Sequence, residues 1–172
     1  MPDGENGEFV ARGYNLMRGY YKMPRATRAA IDNEGWLHTG DLAARTPEGN
    51  FRITGRLKDM IIRGGENIYP KEIEEFLYTH PKIEDVQVIG VPDKAAGEEI
   101  MACIILKEGE TMTEKEVQDF VRDNMAKHKV PRYVDFMDSF PMNAAGKILK
   151  YKMRENAVEK LKLQADASIE TA

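Results

Sequence analysis

Four segments of the chain set a glycine near a charged or aromatic side chain, and each has a chemical and a purely structural reading. In WLHTGD (36–41), the Asp41 carboxylate either closes a turn by accepting the backbone amides that follow it or offers two acceptor oxygens to a sugar diol. In GRLKDMIIRGGENIYPKEIE (55–74), Arg56 and Lys58 are two residues apart and share one face of any extended strand, unless the backbone turns or hinges at Lys58. Gly64-Gly65, in the same segment, makes either a tight turn or a stretch of bare backbone that a ligand can approach closely. In PMNAAGKILK (141–150), Gly146-Lys147 is not a phosphate-binding P-loop. Pro141 stands where that motif needs its first glycine, and Ile148 where it needs Ser or Thr. What survives is a lysine on a glycine-containing loop, either a plain surface cation or one that reaches out to an anion. The fourth segment, GEFVARGYNLMRGYY (7–21), reads as strand–turn–strand, with Tyr14, Tyr20, Tyr21 and the nearby Trp36 as packing residues.

Other chemistries are excluded by composition. Cys103 is the single cysteine, so an internal disulfide and a Cys-rich zinc site are both ruled out, and its place in the apolar run Met101 to Leu106 makes it an inert core residue. His38, His80 and His128 have neither metal-ligand nor triad spacing and are assigned no catalytic role. A net charge of −4 argues against a nucleic-acid partner. The stretch AGKILKYKMR (145–154) is locally basic, either a solvated face or a seat for a phosphorylated ligand. No run approaches the ~20 apolar residues of a membrane span, and MPDGENGE has no secretory h-region, so a cytoplasmic setting is expected.

The elements that must position these residues fall into two regimes. Residues 1–55 hold turn pairs (Asp3-Gly4, Glu34-Gly35, Glu48-Gly49) between short apolar runs, Glu8 to Ala11 and Asn50 to Thr54, which predicts short strands and hairpins. That region has too few long apolar segments for a core of its own and is expected to pack against something else. Residues 56–172 predict an α+β unit, a small sheet flanked by helices. Met60 to Arg63 reads as a strand ending at Gly64-Gly65. Ile73, Phe76 and Leu77 mark a helix face after Pro70, ended by Pro81. Val86 to Val91 and Ile100 to Leu106 have the β-branched look of buried strands. Thr113 and Glu116 form a capping box ahead of the stripe Val117, Phe120, Val121 and Met125, a helix expected to close at Pro131. Tyr133 to Met137 reads as a strand, Met153, Ala157 and Leu161 as a last helix face, and Gln164 to Ala172 as a frayed end.

Taken in order, the segments resemble the C-terminal part of the adenylate-forming superfamily: acyl-CoA synthetases, peptide-synthetase adenylation domains and luciferases. GEFVARGYNLMRGYY is similar to that family's sixth core motif, WLHTGD to its seventh, GRLKDMIIRGGENIYPKEIE to its eighth and PMNAAGKILK to its tenth. Met142-Asn143-Ala144-Ala145 departs from the tenth motif, which more often has Lys-Thr or Arg-Thr after the proline and Ser or Thr before Gly-Lys; the lysine is kept. The family's phosphate-binding loop, adenine pocket and carboxylate pocket have no counterpart in these 172 residues. The resemblance therefore implies two parts: residues 1–57 as the β-rich end of a large N-terminal adenylation domain, itself the missing partner, and 58–172 as a mobile C-terminal lid.

The resemblance also implies roles. Lys147 is the cation between carboxylate and α-phosphate, Asp41 a ribose-hydroxyl ligand, and Arg56 a ribose and phosphate contact. Lys58 is the hinge, and Gly64 and Gly65 line the CoA channel. The substrates are ATP, CoA and a carboxylic acid, with Mg2+ expected alongside ATP but held by no residue of this chain. RGGENIYPKEIE and FPMNAAGKILKYKMRE most resemble medium-chain and related fatty-acyl-CoA ligases, with aryl-acid ligases close behind. The alternatives are an adenylation domain that loads a carrier protein and a stand-alone, non-catalytic binding module.

Overall fold

In the computed structural model, which describes residues 2–167, the chain divides between Lys58 and Asp59 into two units. In the first, β1 (Asn6–Ala11), β2 (Leu37–Arg45) and β3 (Phe51–Arg56) form an antiparallel sheet in that order. The β2–β3 hairpin turns at Gly49, whose positive φ of 87° suits glycine and whose amide reaches the Thr46 carbonyl at 2.9 Å. Only Leu42 and Ala43 are buried among the described residues of this unit. Phe51, Ile53 and Leu57 lie exposed, in line with a segment short of apolar residues for its own core.

The strand–turn–strand expectation for 7–21 holds only for its first strand. After β1 the chain runs irregularly into a helix that periodicity did not announce, α1 (Pro24–Ala30). Thr27 explains the change. Its hydroxyl donates to the Met23 carbonyl at 3.0 Å and accepts the Tyr20 amide at 2.9 Å, folding residues 20–27 back on themselves. Tyr14 and Tyr21 are 105% and 85% exposed and Tyr20 is also exposed, so these tyrosines do not pack within the unit. Trp36 is half-buried, with the Arg12 guanidinium 4.5 Å from its ring centre.

One 3-10 turn, Leu57–Asp59, leads into the second unit. There β4 (Ile61–Arg63) and β5 (Glu66–Ile68) form a short hairpin, followed by α2 (Pro70–Leu77). Two long strands, β6 (Ile83–Asp93) and β7 (Gly97–Leu106), pair antiparallel from Ile83↔Leu106 to Asp93↔Gly97. Then come α3 (Glu114–Arg122), β8 (Tyr133–Phe136), α4 (Lys150–Lys160) and α5 (Gln164–Ala167). The sheet order is β5-β4-β7-β6, and β8 runs parallel to β7 with Met101↔Tyr133 through Ile104↔Phe136 in register.

The largely apolar runs of β6 and β7 follow from burial on both faces. Val86, Val88, Ile100, Ala102 and Ile104 join Ile73 and Leu77 of α2 and Val117 and Val121 of α3 in one cluster. The alternate residues Ile89, Val91, Met101 and Cys103 join Phe140 and Met153 and Ala157 of α4 in a second. Burial pushes the Cys103 thiol up to about 12, which keeps it protonated and unreactive. The capping box at α3 is formed: the Thr113 hydroxyl accepts the Glu116 amide at 3.2 Å and the Glu116 carboxylate accepts the Thr113 amide at 2.6 Å.

Two boundaries differ from expectation. The third helix stops at Arg122 rather than at Pro131, because Asn124 Nδ2 donates to the Phe120 carbonyl at 2.9 Å and takes up one of the last helical acceptors. Pro131 is buried and leads into β8 instead. The expected fray after Leu163 begins with a helical turn, α5; residues 168–172 lie outside the described part. No helix among the described residues is long and apolar enough to cross a membrane.

Because the second unit buries two clusters built from its own elements, residues 59–172 expressed alone should unfold in urea as one cooperative transition by circular dichroism. A gradual, non-cooperative loss of signal would show that its core needs residues 1–58.

Candidate functional site

Asp41 sits inside β2, not in a turn, and its cross-strand partner in β3 is Arg56. Arg56 Nε donates to Asp41 Oδ1 at 3.1 Å. The turn reading of Asp41 fails because the backbone strain of this segment falls on Gly40, with a φ of 71°, and on a bulge between Leu42 and Ala43. Gly40 donates its amide to Glu8 Oε1 at 3.1 Å, and the Thr39 hydroxyl donates to the Phe9 carbonyl at 2.5 Å and accepts the Asp41 amide at 3.1 Å. The carboxylate is thus left to pair sideways. Both partners are partly open to water, where such a pair adds about 0–1 kcal/mol. Stability alone gives little reason for it, and both side chains are free to re-pair with a ligand that carries hydroxyls or phosphate.

Arg56 ends β3, and Lys58 lies exposed in the 3-10 turn that follows, so the two do not share a strand face. Gly64 and Gly65 form the β4–β5 turn with φ of 57° and 86°. Consecutive positive φ angles are the reason for glycine here, since a Cβ at either position would meet nothing within 4 Å. The turn is tied to the main sheet by the Gly64 amide, which donates to the Ala96 carbonyl at 2.8 Å. Beside it Arg63 Nε lies 2.8 Å from Oε2 of Glu99, which is only 5% exposed.

Lys147 stands on the returning leg of a tight hairpin between β8 and α4, opposite Asn143. Its base is closed by the Met142↔Ile148 bridge and by the Leu149 amide donating to the Pro141 carbonyl at 2.8 Å. Asn143 shapes the tip. Its Oδ1 accepts the amides of Ala145 (3.0 Å) and Lys147 (2.9 Å), and its own amide donates to the Lys147 carbonyl at 3.0 Å. Gly146, with a φ of 76°, completes the turn. The departure Met142-Asn143-Ala144-Ala145 therefore keeps a side-chain acceptor at the position that bends the loop. Among the described residues no carboxylate pairs with the exposed Lys147.

The locally basic stretch 145–154 resolves into different kinds of cation. Lys150 pairs with Glu74 and Arg154 with Glu98, whereas Lys147 projects from a turn. The Lys150–Glu74 pair was illegible in the sequence, since nothing local links residues in different elements. His38, given no role from spacing, bridges Glu8 (2.7 Å) and Asp32 (3.5 Å) across the first sheet. Among the described residues no group of acids, histidines or cysteine could hold a metal ion.

Residues 72–147, ending on this lysine, match the family model described as the AMP-binding enzyme C-terminal domain. That match lies within the second unit. It is 56% identical over 162 residues to YngI of Bacillus subtilis, a protein provisionally assigned as an acyl-CoA synthetase. It is 48% identical over 157 residues to the human mitochondrial medium-chain acyl-CoA ligase ACSF2. These alignments take in 94% and 91% of the chain but span only 30% and 26% of the two relatives. Among solved structures, ATP-bound MatB from Rhodopseudomonas palustris superposes with a TM-score of 0.86 at 36% identity, over 91% of the chain and 31% of that protein. The o-succinylbenzoate CoA synthetase of Bacillus subtilis, in complex with its acyl-adenylate, gives 0.81 at 35% identity, over 90% and 31%. The fold is similar to that of the matching part of these solved structures, and the two sequence relatives are named as an acyl-CoA synthetase and an acyl-CoA ligase.

Two histidines of the chain give a titration test of the local geometry. The Glu8 carboxylate beside His38 raises its pKa above 6.5, and burial against Phe120 lowers that of His80 below it. The stability that His38 contributes is full below its unfolded pKa and is lost as pH rises through the raised folded value. Imidazole proton NMR should therefore give midpoints on opposite sides of 6.5. A His38 midpoint at or below 6.5 would contradict the His38–Glu8 contact, and a His80 midpoint above it would contradict the burial of His80.

Proposed function

We propose that the chain is the C-terminal part of an AMP-forming acyl-CoA ligase, which joins a carboxylic acid to CoA and converts ATP to AMP and pyrophosphate. The observation that carries this reading is the Lys147 hairpin, an exposed cation on a backbone held in shape by Asn143 and closed at its base. In the first half-reaction a carboxylate oxygen bonds to the α-phosphorus and the bond to pyrophosphate breaks. Two anions are brought together there, and a cation between them is worth far more in a water-poor site than in bulk water. Lys147 is that cation.

Asp41 accepts hydrogen bonds from the ribose hydroxyls, and Arg56 turns from Asp41 to the ribose and phosphate. In the second half-reaction the CoA thiol attacks the acyl carbon and AMP leaves as the mixed anhydride breaks. Lys147 is then no longer required, and rotation at Lys58 replaces it with the face that carries Gly64 and Gly65, past which the pantetheine arm reaches the acyl-adenylate. Mg2+ accompanies ATP and takes no ligand from this chain. The 48% identity to a medium-chain acyl-CoA ligase supports the ligase reading. A cytoplasmic setting goes with this reading, although the ACSF2 relatives are named as mitochondrial.

The two lysines should fail differently in the full-length ligase. Lys147→Ala should slow ATP–pyrophosphate exchange by about 10²–10³-fold while sparing thioester formation from supplied acyl-AMP. Lys58→Pro, which fixes φ at the hinge, should trap one orientation and depress one half-reaction only. Stopped-flow comparison of both half-reactions decides; equal losses for Lys147→Ala would make that residue structural. The 172-residue chain alone lacks the family's phosphate loop and acid pocket and should show no ATP–pyrophosphate exchange with fatty or aromatic acids. Exchange above background would refute the division of labour.

A further inference from the structure

The hairpin that presents Lys147 is rigid within itself, but nothing in its own hydrogen bonds fixes its direction relative to the sheet. Upstream, Phe140 is buried in the second apolar cluster; downstream, Ile148 packs against the same cluster. Apolar contacts of this kind hold a segment down without setting its rotation, because they are non-directional. The directional contact comes one residue after the hairpin, at the first residue of α4. Lys150 Nζ donates to Glu74 Oε1 of α2 at 2.6 Å and to the Val88 carbonyl of β6 at 3.2 Å. Glu74 Oε1 in turn accepts the Val88 amide at 2.8 Å.

Three elements therefore meet at one fully buried residue of β6, the outer strand of the order β5-β4-β7-β6. Both backbone groups of Val88 are taken by side chains of opposite charge, so the outer edge of the sheet is closed at that point. The Lys150 and Glu74 side chains are only 23% and 14% exposed, and charge-assisted hydrogen bonds in such surroundings are short and geometrically demanding. Arg154, one turn further along α4, adds a second polar tie to Glu98 of β7 at 2.7 Å. Lys150 is nevertheless the tie nearest the hairpin, and the one that grips backbone as well as side chain.

We propose that Lys150 is a positioning residue: its clamp on Glu74 and Val88 sets the direction in which the hairpin holds Lys147. This inference rests on the adenylating role given to Lys147. A lysine suits the position because a single ammonium can point two hydrogens at once, one to a carboxylate and one to a carbonyl. Loss of the clamp frees the first turn of α4 to rotate, and the tip of the hairpin moves with it. A misplacement of about 1 Å at a reacting centre can cost on the order of 10²-fold in rate.

Two measurements test this. In the 172-residue chain, Lys150→Met should speed hydrogen exchange of the Ala145 and Lys147 amides by about tenfold and leave the central amides of β6 and β7 unchanged. A uniform increase across the sheet, or no increase at the hairpin, would reduce Lys150 to a stabilising edge contact and overturn the proposal. In the full-length ligase, Lys150→Met should slow ATP–pyrophosphate exchange by about 10- to 100-fold with thioester formation from acyl-AMP intact, and Lys150→Arg should recover most of the rate. Lys147→Ala, run beside it, separates the two ways of failing. If Lys147→Ala spares adenylation, the role assigned to Lys147 is wrong. If Lys147→Ala abolishes adenylation while Lys150→Met leaves it at full rate, the positioning role is wrong.

Discussion

The β6–β7 ladder must be buried on both faces, and the rest of the second unit is arranged to meet that demand. Side chains alternate across a strand, so a ladder apolar at nearly every position exposes one apolar face unless two layers cover it. The first layer is α2 and α3, joined by the stacked rings of Phe76 and Phe120 at 4.7 Å. The second is α4 with Phe140. The second unit's two candidate site segments then fall at the margin of this sandwich. The Gly64-Gly65 turn caps the short β4–β5 hairpin at one end of the sheet, and the Lys147 hairpin enters α4 from β8.

Charge is used inside this frame in two ways. Where it is sheltered it fixes geometry: Glu99 is matched by Arg63 at 2.8 Å and Arg132 at 3.6 Å, and Glu74 by Lys150 at 2.6 Å. Removing one partner of such a pair leaves a charge with little water to solvate it, so these contacts persist in the folded state. Where charge is open to water it stays available. The Asp41–Arg56 pair and the Lys147 ammonium are of this second kind, held by backbone rather than by strong partners. The function proposed above would use both: fixed ties to carry a site and loosely paired groups to make it up.

Much of this was legible in the order of residues. The i, i+3, i+4 stripe of α2, the capping box of α3 and the β-branched runs of β6 and β7 are short-range patterns, and each element formed where its pattern stood. The glycines at 64 and 65 and the failed P-loop around Lys147 were equally local, because a positive φ or a missing motif residue can be read within a few positions. The segment 12–36 was read less well. Its helix depends on Thr27 reaching back to Tyr20 and Met23, a polar contact with no periodicity to betray it.

What the sequence by itself determined was most of the second unit's elements and the identity of the side chains at their ends, for backbone propensity and apolar period act over a handful of residues. Only the tertiary structure decided which polar groups meet. Asp41 faces Arg56 because a hairpin places residues fifteen positions apart in register. His38 meets Glu8, thirty positions away, because β1 and β2 pair. Lys150 reaches Glu74, seventy-six positions away, because α2 and α4 both pack beside Val88. Such encounters are set by the packing of whole faces, and no local pattern of residues encodes them.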